Sequence, residues 1–181
     1  AGVGSIVGEK LPATDEFAID SRLTGSVKTL SLSEASGRVK RDNLNIAISG
    51  EVKDLIAFSG LDLQLKGSGK NLAEIGSMIG EKLPATDEFA LDGRLTGSTE
   101  ALSLKNAQAT ARRGRLHLAL NGGVKNLLTL RGLDLQFKLT GTDLTEFGKI
   151  IGAKLPATDQ FEVLGRLTGS VKSMALQKAS G

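Results

Sequence analysis

Apolar and polar residues alternate along most of this chain, and the alternation falls into separate runs. Phe17, Ile19 and Leu23 are interleaved with Glu16, Asp20 and Arg22, a period of two that predicts a half-buried strand. Leu30 and Leu32 continue the pattern, and the apolar phase then moves to Ala35 and Val39, which predicts a β-bulge inside one long strand. Lys40 to Asn43 reads as a hairpin turn. Leu44, Ile46 and Ile48 predict a third strand, and Leu61, Leu63 and Leu65 a fourth. A helix of about ten residues follows. Asn71 is a good N-cap, Glu74 stands where a capping box needs it, and Leu72, Ile75 and Ile79 share one helical face. Gly80 and Pro84 end the helix. It is expected to cover part of one sheet face, and it is too short to cover four strands.

The same order returns further along the chain. Leu11 to Ser26 reads LPATDEFAIDSRLTGS, Leu83 to Ser98 reads LPATDEFALDGRLTGS, and Leu155 to Ser170 reads LPATDQFEVLGRLTGS. The three starts are 72 residues apart, so the chain holds about two and a half copies. Counterparts of the first-copy apolar positions are Phe89, Leu91 and Leu95, then Leu102 and Leu104, then Leu116, Leu118 and Leu120. Leu133, Leu135, Phe137 and Leu139 follow, and the third copy supplies Phe161, Val163 and Leu167. The organisation expected is the end of a truncated repeat with its helix at 1–10, repeat one at 11–82, repeat two at 83–154 and the start of a third at 155–181. Both ends fall inside predicted elements, which reads as part of a longer array. The fold class is mainly β with short helices: 72-residue repeats of about four antiparallel strands plus one helix, laid side by side as a continuous twisted sheet.

Composition narrows the functional classes. Of 181 residues 40% are hydrophobic and 24% charged, as in an ordinary folded protein. Lys and Arg number 23 against 20 Asp and Glu, for a formal net charge of +3, and the two signs are interspersed. That argues against nucleic acid as a partner. Six Phe are the only aromatics, which is too few for stacking platforms or for the aromatic girdles of an outer-membrane barrel. There is no Cys, so disulfides and thiolate metal sites are excluded, and no apolar run is long enough for a transmembrane helix.

Candidate chemistry is sparse. Asp15-Glu16 and Asp87-Glu88 have the form of an acid–base or Ca²⁺ pair, but the third copy reads Asp159-Gln160, and the plain reading is a polar strand start. Gly67-Ser68-Gly69-Lys70 lacks the spacing of a phosphate loop. His117 lies between Leu116 and Leu118 and is expected on the polar face. Arg22, Arg94 and Arg166 align, as do Lys10, Lys82 and Lys154; cross-strand salt bridges or a solvated face explain them more simply than a phosphate ladder. No nucleophile–base pair or metal cluster recurs, so neither an enzyme nor a cofactor is expected.

What remains is the apolar face itself. It must be covered by a second protein layer, a partner chain or a lipid. A short helix ending in Gly, then Leu-Pro-Ala-Thr, a strand with Arg-Leu-Thr-Gly-Ser, and later Gly-Leu-Asp-Leu resembles the AsmA-like repeat proteins. The resemblance implies a periplasmic segment of a longer protein anchored in the inner membrane. It also implies a β-groove, apolar inside, that shields phospholipid acyl chains between the inner and outer membranes, with membrane partners beyond this segment. The groove-lining set expected is Phe17, Ile19, Leu23, Leu30, Leu32, Leu44, Ile46, Ile48, Leu61, Leu63 and Leu65 with the counterparts above. At ~4.8 Å per strand each repeat would give roughly 19 Å of groove, and the chain roughly 48 Å. The alternative is a structural or adhesive β-repeat array with a closed core and no ligand.

Overall fold

The computed structural model describes residues 16–26, 29–79, 82–170 and 173–180. The helix expected within 1–10 lies outside them. Ten strands form one sheet in strict chain order, every neighbouring pair antiparallel. They are β1 (Glu16–Ser26), β2 (Thr29–Arg41), β3 (Leu44–Asp54), β4 (Ser59–Gly69), β5 (Glu88–Ser98), β6 (Leu102–Arg113), β7 (Leu116–Asn126), β8 (Arg131–Gly141), β9 (Phe161–Ser170) and β10 (Ser173–Ser180). Two helices, α1 (Leu72–Ile79) and α2 (Leu144–Ile151), lie in the connections β4–β5 and β8–β9. Nine strand spacings of ~4.8 Å make the sheet ~43 Å wide, and eleven-residue strands make it ~36 Å along the strands.

The phase shift in the second strand is a bulge, as the pattern predicts. The β1–β2 register slips between Asp20 and Arg22, and the β2–β3 register between Leu32 and Ala35. Glu34 takes up the extra residue at a φ of 54°, and Asn106 does the same on β6 at 51°. The bulge returns Ala35, Gly37 and Val39 to the face that carries Leu30 and Leu32. Tight two-residue turns at Asp42-Asn43 and Gly114-Arg115 close β2–β3 and β6–β7. At the opposite ends of the strands, the Asp54 carboxylate accepts the backbone N–H groups of Ile56 and Ala57. The Asn126 side chain likewise accepts that of Thr129, which orders the β7–β8 turn.

The helix caps differ in part from the expected capping box. Asn71 and Asp143 do cap α1 and α2, accepting from the backbone N–H of Ala73 and Thr145 at 3.1 and 2.9 Å. The other free helix donors, on Leu72 and Leu144, go to the hydroxyls of Thr86 and Thr158. Those are the Thr residues of the two Leu-Pro-Ala-Thr segments, which thus fasten the chain after each helix back onto its start; Glu74 and Glu146 play no such part. Gly152 ends α2 with a φ of 71° and donates its N–H to Gly148.

Close backbone approach is confined to hydrogen-bonded neighbouring strands. The helices lie in the connections between strands, and α2 is tight against its own: a side chain on Gly148 would meet the carbonyl of Ala153 and the backbone of Leu155. Among the described residues the sheet is a single layer.

Candidate functional site: one apolar face

Residues directly opposite one another on paired strands point to the same side, so the register assigns every side chain to a face. One row of partners runs Phe17, Val39, Ile46, Gly67, Leu91, Ala109, Leu120, Phe137 and Gly165 across nine strands. A second runs Leu23, Leu32, Val52 and Leu61. Leu63, Leu95, Leu104, Val124 and Leu133 make a third. Phe89, Ala111, Leu118, Leu139 and Val163 make a fourth. Ile48 pairs with Leu65, Ile19 with Gly37, Leu30 with Gly25, Leu102 with Gly97, and Leu135 with Leu167. Leu44, Leu116 and Phe161 join by their alternation along β3, β7 and β9. All the apolar positions named from the pattern therefore lie on one face.

Pattern reading missed Val52 and Val124, which are on this face and are 6% exposed. Gly50 and Gly122 interrupt the apolar run before them, although strict alternation from Leu44 through Ile48 points to Val52. The alanines of β6, Ala109 and Ala111, which continue the apolar phase of the pattern, lie on this surface too.

Burial on the face is uneven. Phe89 lies over Gly69, where an added Cβ would come within 3.0 Å of the ring, and Phe161 and Leu116 crowd Gly141 in the same way. Leu44, Phe89, Leu116 and Leu139 are buried near this end of the strands, and Val52 and Val124 near the other. Between them Ile46, Leu63, Leu65, Leu95, Leu118, Leu120, Leu135 and Phe137 stay half-exposed, and Ile48 is exposed. On β1 exposure is greatest, with Phe17 at 56% against 5% for its counterpart Phe89.

The opposite face is polar and ion-paired. Arg94 grips Asp62 through Nε and Nη2 at 2.5 Å each, across the β4–β5 junction. Arg166 grips Asp134 in the same two-pronged way at 2.7 Å across β8–β9. These hydrogen bonds hold both carboxyls below the usual aspartate range and raise the guanidinium groups. Arg112 holds Glu88 similarly, and Asp87 accepts the backbone N–H of Gly114. The Asp87-Glu88 pair is thus spent on the β5–β6 pairing and the β6–β7 turn, and the described residues contain no cluster suited to a metal ion. Lys138 pairs with Glu162, and Gln64 and Lys66 with Asp92. His117, opposite Arg112 and Thr140, is exposed on this face. Lys82 and Lys154 are exposed, and Lys10 lies outside the described residues.

An open hollow of about 720 Å³ lies on the polar side, over Ala18, Ala47 and Ala90 between Arg38, Lys66 and Asp92. It is a dip where small side chains sit among long charged ones. It offers neither an aromatic platform nor a buried polar group to fix a ligand. The feature that distinguishes this molecule is therefore its other side.

No helix of the described residues is long and apolar enough to cross a membrane. No family model matches the chain, and no solved structure matches it. Over 58 residues the chain is 38% identical to the AsmA family protein YhjG of Escherichia coli (strain K12). The matched stretch is 32% of this chain and 8% of that protein, so over about a third of its length this chain is similar to an AsmA family protein.

Proposed function

We propose that this chain is a segment of a bridge-like lipid transport protein, in which the apolar face forms a groove that shields phospholipid acyl chains between inner and outer membranes. The observation that carries this reading is the uninterrupted apolar face of an open, single-layer sheet. A sheet ~43 Å by ~36 Å presents on the order of 1,500 Å² in projection. That is several times the apolar patch a soluble monomer normally leaves exposed. The partial similarity to an AsmA family protein supports the same reading.

The energetics fit a conduit. Each buried CH₂ is worth ~0.8 kcal/mol, so a tail of about 16 carbons costs on the order of 13 kcal/mol to expose to water. A continuous apolar surface removes most of that cost at every point of the path. The role needs no catalytic group and no cofactor; phospholipid is the cargo, and the setting is the periplasm.

The test is mass spectrometry of lipids extracted from intact protein purified with minimal detergent. Co-purifying phospholipid is the expected result. A well-folded protein free of lipid would overturn the proposal.

A further inference from the structure

The two ends of the strands differ on the apolar face. At the end closed by the β2–β3 and β6–β7 turns, Arg41 lies directly opposite Leu44 and Arg113 opposite Leu116. Opposed residues share a face, and Arg113 also continues the alternation of Ala107, Ala109 and Ala111, so both arginines stand on the apolar face at its rim. Both are exposed beside a buried leucine. They are 72 residues apart, so the same position of the repeat carries arginine twice, while the positions around it change from Lys40 to Arg112, Asp42 to Gly114 and Asn43 to Arg115. On the polar face Arg94, Arg112 and Arg166 are each held by a carboxylate, whereas among the described residues none holds Arg113. Asp87, beside this turn, is spent on the Gly114 N–H and Arg112, and Glu146 of α2 comes near Gly114 without pairing with Arg113. The opposite ends of the strands are apolar: Ile56, Phe58, Leu128 and Leu130 stand exposed in the β3–β4 and β7–β8 turns. Arg131 also lies at that end, but its first-repeat counterpart is Ser59, so on this face a basic residue recurs at one rim only.

We propose that Arg41 and Arg113 are headgroup anchors: each takes the phosphate of one phospholipid, whose tails then lie along the strands toward the opposite, apolar rim. The inference rests on the lipid reading above and adds to it the orientation of the cargo and a requirement for phosphate. A guanidinium presents a fork of N–H donors that matches phosphate oxygens, and its stem can lie on apolar surface while its head stays in water. The dimensions agree. A bilayer is ~40–45 Å thick with its headgroups, so one phospholipid is ~20 Å long, against strands of ~36 Å. With the phosphate at Arg113, tails of ~15 Å cover about four residues of strand, from Leu116 to Leu120, and run onto the half-exposed middle of the sheet. The two anchors stand four strands apart, ~19 Å, which leaves room for a separate two-tailed lipid at each.

The chain has no cysteine, so a single fluorophore can be placed at either end of β3, by Asn43→Cys in the turn at the arginine rim or by Ala57→Cys in the turn at the other. The ligand is phosphatidylcholine carrying a nitroxide quencher on its headgroup or at the end of one tail. The headgroup nitroxide is expected to quench the Asn43→Cys probe severalfold more than the Ala57→Cys probe, and the tail-end nitroxide to lose or reverse that preference. In an Arg41→Gln/Arg113→Gln chain the headgroup preference should vanish and lipid affinity fall about two- to fivefold, the range of an exposed charge contact. Arg38→Gln/Lys40→Gln removes as much charge from the polar side of β2 and should change neither. Diacylglycerol with the same tails, which lacks the phosphate, should bind the parent and the Arg41→Gln/Arg113→Gln chain alike. A loss equal to that of the phospholipid would mean that the arginine stems only pack on the tails, and would overturn the proposal. Lipid uptake with equal headgroup quenching at both ends would overturn it as well and leave the groove standing. No uptake by the parent chain would overturn the lipid reading itself, and the anchors with it. Circular dichroism establishes that each variant is folded.

Discussion

Replacing Ile46 and Leu118 together by Glu separates an occupied apolar face from a closed protein core. Both side chains lie mid-sheet on the apolar face and are half-exposed, in β3 and β7. In the free protein each Glu can reach water. The cost is then the lost half of an aliphatic burial, about 1 kcal/mol per site. With an acyl chain seated over the position the carboxylate must be desolvated. The scale for a charged side chain at the centre of a hydrocarbon layer is about 3 kcal/mol, or on the order of a hundredfold in affinity at each site. The two positions are four strands apart, ~19 Å, so the double variant blocks the path at separate points. The assay is titration with a phospholipid bearing a fluorescent tail, with circular dichroism to check folding. A folded variant with strongly reduced lipid uptake is expected. Wild-type uptake by a folded variant would refute the assignment of this face to lipid. Outright unfolding would mean the carboxylates had entered a closed core, where an unpaired charge is not tolerated.

Three further outcomes follow from the packing. Phe89→Ala should lower stability by about 3–5 kcal/mol, because a buried ring is lost over Gly69, whereas Phe17→Ala should cost well under about 1 kcal/mol; urea midpoints of the two variants check the contrast. Gly50→Ala should destabilise by more than about 1 kcal/mol, since φ is 145° and the new Cβ would stand 2.1 Å from the Asp62 carbonyl oxygen; equal urea midpoints for variant and parent would contradict this. Asp62, Glu88 and Asp134 are held below their ordinary pKa by arginines, so the stability they contribute is present above the unfolded-state carboxyl range and is lost as pH falls through the lowered folded values. Urea midpoints should therefore be flat near neutrality and decline below about pH 4, and Asp62→Asn should make that decline shallower.

Strand positions were legible because period-two alternation is a local property. Leu61, Leu63 and Leu65 announce β4 with no knowledge of its neighbours, and the phase shift after Leu32 announces the bulge at Glu34. What local pattern cannot supply is pairing. Arg94 was recognisable as a candidate for a cross-strand bridge, but Asp62, 32 residues away, becomes its partner only through the β4–β5 register. Thr86 is a similar case: Leu-Pro-Ala-Thr reads as a helix terminator, and only the folded connection turns its hydroxyl back to the Leu72 N–H.

The relief of the apolar face bears on what covers it. Between the two matching halves hydrophobic character persists while size does not: Val39 corresponds to Ala111, Leu65 to Phe137, and Gly67 to Leu139. A close-packed protein layer reads such differences, because cores are jigsaw-packed and a change of even one methylene is felt. A fluid acyl chain does not read them; it requires only that no polar group intrude. Size-changing apolar swaps at half-exposed mid-sheet positions, Leu65→Phe and Leu120→Val, should therefore shift stability by less than about 1.5 kcal/mol and leave phospholipid uptake within about twofold of the parent. Uptake measured with the same fluorescent lipid decides the matter. A large loss of binding on either swap would show that the face is shaped to one rigid partner, and the fluid cover would have to be given up.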